Sequence, residues 1–182
     1  MNPHEDDRAL VERCRRELPL RHQAFELLVE RYKSMVYTLC LRMTGNASDA
    51  SDLMQEAFTK AFFHFKSFEG RSAFSSWLYR IAYNECLRHL ETRKRETRLM
   101  AGYAEQETKS APAPAGDERT LALQKALDGL SEHYRSALIM KYVMGLETRE
   151  MADALDLTEG AVKMRLLRAR EEFRRLFSRE EI

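Results

Sequence analysis

Between its breaks the chain repeats apolar residues at every third or fourth position, and nowhere does it sustain an apolar–polar alternation. Residues i, i+3, i+4 and i+7 share one face of a helix, whereas a half-buried strand needs a period of two. That pattern confines the sequence to an all-α fold. The spacing predicts helices over about 5–17, 20–43, 48–65, 72–96, 118–128, 132–144, 148–155 and 159–178. Ser48, Ser72, Asp117, Ser131 and Thr158 each precede a run, where a short polar side chain can accept from orphan N–H groups.

One stretch interrupts the pattern. Lys109–Gly116 holds two prolines and no apolar face, and reads as a linker over 97–117. The 182 residues then divide into a helical domain over 1–96 and a smaller one over 118–182. With 44% hydrophobic and 32% charged residues, both halves have enough apolar surface to fold. No apolar run approaches the roughly 20 residues that span a bilayer. The acidic N-terminus lacks the basic start and apolar centre of a secretory signal.

Chemistry-bearing patterns are sparse. Cys14, Cys40 and Cys86 form no C-x-x-C and read as reduced packing residues of a cytoplasmic protein. The five histidines are scattered, so no metal site is expected. No nucleophile–base set or phosphate loop stands out. The expectation is a protein with no catalytic residues, no cofactor and no small-molecule substrate.

Two helices near the C-terminus, 148–155 and 159–178, are joined by Asp156-Leu157-Thr158, the spacing of a helix-turn-helix. Val162, Leu166, Ala169, Phe173 and Leu176 form the inward stripe of the long helix, leaving Lys163, Met164, Leu167, Arg168, Arg174 and Arg175 opposite. Residues 160–179 carry seven basic and two acidic side chains (+5), while 120–158 carry four and six (−2). The charge is concentrated on the one helix suited to a DNA major groove. Met164 and Leu167 add apolar contacts of the kind that meet a thymine methyl.

The N-terminal half is marked by aromatics. Nine of the 17 fall within 58–83, more than the helix beginning near Ser72 can bury on one side. On that helix Trp77, Arg80, Asn84 and Arg88 align at i, i+3, i+7 and i+11 beside the loop 66–71. A ring, two guanidinium groups and an amide in line can stack bases, hold phosphates and read a base edge. Equally, Trp77 could pack inward beside a solvated face. The preceding helix carries Asp52, Gln55, Glu56, Thr59 and Phe63 in a stripe that would repel phosphates, and reads as a protein-docking surface.

These segments resemble a known family. DASDLMQEAF at 49–58 and SFEGRSAFSSWLYRIAYN at 67–84 resemble region 2 of bacterial extracytoplasmic-function (ECF) sigma factors. LSEHYR at 130–135 and EGAVKMRLLRARE at 159–171 resemble region 4. The resemblance implies a dissociable subunit of bacterial RNA polymerase that recognises −10 and −35 promoter elements. It implies docking on core polymerase through Asp52, Gln55 and Glu56, and places Phe68 and its loop at the −10 element near a flipped-out base, with Asn84 nearby, on the stripe already formed by Trp77, Arg80 and Arg88. It also implies −35 duplex contacts by Lys163, Met164, Leu167 and Arg168. A linker of about 20 residues could reach roughly 70 Å, about two turns of duplex. The family further implies an anti-sigma factor, frequently membrane-bound, that holds the protein until a signal arrives.

Some residues depart from the family pattern. Met164 stands where a small polar residue is common, which bears on −35 preference. Glu147-Thr148 replaces a common Ser-aromatic pair, so helix capping there needs another source. The sequence stops soon after the recognition helix, so no further regulatory domain is expected. Two other readings compete, a helix-turn-helix regulator that never touches polymerase and a helical adaptor that never touches DNA. The acidic stripe with the aromatic cluster favours the sigma reading, because a duplex-binding regulator needs neither.

Overall fold

The structure is a computed structural model that describes residues 3–101 and 118–180. Its helices are α1 (Pro3–Glu17), α2 (Gln23–Thr44), α3 (Ala47–Phe63), α4 (Phe74–Ala101), α5 (Glu118–Asp128), α6 (Glu132–Leu138), α7 (Thr148–Leu155) and α8 (Glu159–Glu180). A 3₁₀ turn (Phe65–Ser67) follows α3, and a π turn (Ile139–Val143) extends α6. Among the described residues there is no strand. The all-α expectation holds, and α4 continues to Ala101, into the segment read as linker. Residues 102–117 lie outside the described residues.

Local chemistry explains most boundaries. α2 ends at Gly45, which takes a left-handed φ of 69° and returns its N–H to the Leu41 carbonyl at 2.8 Å. Asn46, earlier in the chain than the expected Ser48, caps α3 by accepting from the N–H groups of Ser48 and Asp49. Ser72 makes no capping bond among the described residues; its hydroxyl donates to the Ala73 carbonyl. Asp117 lies outside the described residues. Ser131 accepts from Tyr134 N–H, and Thr158 accepts from Ala161 N–H at 3.2 Å. At α7 the Glu147 N–H donates to the Glu150 carboxylate at 2.8 Å, which supplies the capping that the missing serine would have given.

α1–α4 form one bundle and α5–α8 a second, and the two pack together. Phe25, Leu28, Leu39, Phe58, Phe65 and Leu78 are central to the first core, and Met140, Met151, Val162 and Ala169 to the second. The interface runs along α4. α2 and α3 cover one side of it, α7 the other. Phe74, Tyr79 and Tyr83 are therefore buried (3%, 4% and 5% exposed), with cover on two sides of α4 where one side was not expected to suffice. The second bundle supplies the second cover.

Candidate nucleic-acid and polymerase interfaces

α8 places its predicted stripe inward. Val162, Leu166 and Ala169 are buried, and Lys163, Met164, Leu167 and Arg168 point to solvent. Met164 is 49% and Leu167 41% exposed, high for apolar side chains on a packed helix. Lys163 and Arg168 make no ion pair among the described residues, so this face carries open positive charge. The turn before α8 is tightened by Asp156, a non-glycine residue in the left-handed region (φ 56°). Short polar side chains tolerate that conformation best.

The −10 candidates fall into three groups. Asn84 and Arg88 are exposed on α4, although Arg88 pairs with the buried Glu85, which also takes Lys60. Trp77 is half-buried on an aromatic cluster, its ring centroid 5.1 Å from that of Phe68 and 5.8 Å from that of Phe74. Phe68 is 6% exposed and forms a wall rather than a protruding ring. Its carbonyl accepts from the Arg15 guanidinium at 3.0 Å, which fixes the loop to α1. The wall borders a cleft of about 720 Å³ between α1, the loop 69–73 and α7. Arg80 leaves the stripe altogether. It donates from Nε to the Asp153 carbonyl at 2.9 Å, with Nη2 on the same oxygen and 3.4 Å from the Asp156 carboxylate.

Three further contacts close the two bundles together. Tyr83 Oη lies 2.8 Å from His133 Nδ1 on α6, and burial pushes the Tyr83 hydroxyl pKa up. Lys94 pairs with Glu132; burial alone would raise the Glu132 carboxyl, but the ammonium outweighs it and the net shift is downward. Arg135 donates to the Leu127 carbonyl at 3.0 Å and the Asp128 carbonyl at 2.7 Å, and across the interface to the Met43 carbonyl at 3.1 Å. Sequence reading assigned no role to Arg135 or Arg15, because neither contact is local.

On α3 the acid–amide stripe faces solvent. Asp52, Gln55, Glu56 and Thr59 are exposed, and Phe63, on the same line, is 75% exposed. Phe63 rests edge-on against Phe62 at 5.6 Å. A hydrogen bond from Lys60 holds the Glu56 carboxyl below its ordinary pKa, so this face stays anionic. Among the described residues no group of His, Cys, Asp and Glu is placed to hold a metal, and no helix is long and apolar enough to cross a membrane.

One helical module thus exposes an acid–amide stripe, and the helix-turn-helix packed on it exposes a basic one. The sigma-70 region 2 profile matches residues 28–96 and a sigma-70 region 4 profile matches 120–173. The chain is 33% identical to the ECF RNA polymerase sigma factor SigW of Bacillus subtilis, over 84% of this chain and 88% of that one. It is 34% identical to the RNA polymerase sigma-H factor of Pseudomonas aeruginosa, over 94% and 93%. A solved sigma factor RpoE from Bartonella quintana, in complex with the anti-sigma factor NepR, superposes with a TM-score of 0.68 at 26% identity, covering 85% and 96%. The chain belongs to the ECF sigma factors of the sigma-70 family. As such it binds core RNA polymerase and directs promoter-specific initiation of transcription. The reading as a regulator without polymerase is not favoured.

Proposed function

We propose that the work of initiation is divided between two modules of this chain, 1–96 and 118–182, joined by residues 97–117. In the first, Asp52, Gln55 and Glu56 dock on the polymerase core, and Trp77, Asn84 and Arg88 meet the single-stranded −10 element with Phe68 behind them. Arg80 joins that face once it is released from α7. In the second, Lys163, Met164, Leu167 and Arg168 enter the major groove of the −35 duplex. The chain itself performs no chemical step; it positions polymerase and stabilises an extruded base, an event costing a few kcal/mol. It acts in the cytoplasm, and an anti-sigma factor, as described for the similar RpoE, restrains it, with tethering at a membrane when that partner is membrane-bound.

The observation that carries this reading is the coexistence, in one chain, of an exposed acid–amide stripe on α3 and an exposed basic–apolar face on α8. The two faces need different partners. The triple substitution D52N/Q55A/E56Q tests the division of labour. It should abolish the complex with core polymerase while leaving the melting temperature and binding to a duplex −35 site unchanged. Parental affinity for the core would place the docking surface elsewhere.

A further inference from the structure

The last three turns of α4 are unusual. Every residue from 91 to 99 is exposed, so packing does not account for the helix continuing there. Residues 88–98 hold five cations (Arg88, Arg93, Lys94, Arg95, Arg98) against Glu91 and Glu96, a net +3. Three of these cations have structural partners, since Arg88 pairs with Glu85, Arg93 turns back onto Asp49 at 3.0 Å and Lys94 pairs with Glu132. Arg95 and Arg98 have none among the described residues. At 100° per residue, Arg95 falls on the line of Trp77, and Arg98 on that of Arg80. The stripe of the −10 face thus runs on past Arg88, with Glu91 as its one carboxylate.

We infer that Arg95 and Arg98 form a phosphate-binding track for the duplex immediately upstream of the −10 element. The assignment rests on reading Trp77–Arg88 as the −10 face. From Arg88 to Arg98 the helix rises about 15 Å, the length of four to five base pairs of duplex. A helix that leaves the bundle carrying unpaired guanidinium groups suits a regular row of phosphates, which arginine can grip in bidentate fashion. Such contacts set register and affinity and read no base.

The test is the salt dependence of promoter binding by reconstituted holoenzyme. Two DNA fragments are compared, one with duplex continuing upstream of the −10 element and one whose duplex ends at its upstream edge. By removing two cations from phosphates, R95A/R98A should flatten the slope of log K against log salt by about 1.8 on the first fragment, equivalent to roughly twelvefold between 50 and 200 mM salt. On the trimmed fragment it should match the parent. R95K/R98K, which keeps the charge, should retain most of the slope. Parental slopes on both fragments overturn the inference, as does an equal loss on both. Asn84→Ala separates this from the underlying reading: unchanged discrimination among −10 sequences would sink the −10 face itself, whatever the arginines do.

Discussion

Arg80 lies on the face that the sequence assigns to single-stranded DNA, yet its guanidinium is turned onto the C-terminal end of α7. A cation there meets carbonyls with no helical partner and the negative end of the helix dipole. The same side chain thus has two competing uses. Phe68 shows a related conflict. At 6% exposure among Phe65, Phe74 and Trp77, its removal would open a cavity costing about 3–5 kcal/mol of stability, which would mask any effect on DNA. Lys163 and Arg168 on α8 are free of this problem, because they make no hydrogen bond or ion pair among the described residues. Arg168→Ala should weaken binding to a duplex −35 site by about 1–3 kcal/mol, measured by titration with the melting temperature unchanged. Unaltered binding would put Arg168 outside the groove.

At the scale of elements, Arg135 ties together three helices. It closes the end of α5 at Leu127 and Asp128 and reaches Met43 at the end of α2, with its side chain only 13% exposed. Arg135→Ala should cost about 2–4 kcal/mol in denaturant unfolding, given hydrogen bonds from a charged donor to otherwise unsatisfied carbonyls. Lysine should not rescue it, since one ammonium cannot reproduce the planar fork. Equal stability of parent, alanine and lysine variants would refute this role. The helices themselves were legible because apolar spacing reports which face is buried. The stripes on α3 and α8 were legible for the same reason. What covers a buried face is not encoded locally, so the aromatics of α4 read as an excess when α7 lies over them. The Asn46 cap was missed in favour of Ser48, and the Glu147–Glu150 pair was not foreseen as the source of capping at α7, since capping depends on backbone angles that residue type only biases. Arg95 and Arg98 could have been found by carrying the Trp77–Arg88 stripe two turns further.

Across the whole molecule, the two bundles close on each other through Arg80, Tyr83, Lys94 and Arg135. These hydrogen bonds and ion pairs join bundles whose buried apolar residues form one continuous cluster. Fully extended, the 16 residues 102–117 would reach at most about 60 Å. A net charge of only +1 is consistent with this division. It is the sum of an open basic face on α8 and acidic surfaces such as the α3 stripe. Such a protein has little long-range pull on DNA by itself and gains its hold in company with polymerase.

As an ECF sigma factor, this chain turns core polymerase into a promoter-specific enzyme. Purified protein added to core polymerase lacking any other sigma factor, on DNA carrying a cognate promoter, should form a stable complex and yield a transcript with one defined start. The D52N/Q55A/E56Q variant should yield none. No complex and no specific transcript from the parent protein, with the chain folded and the core active with another sigma factor, would contradict the central claim.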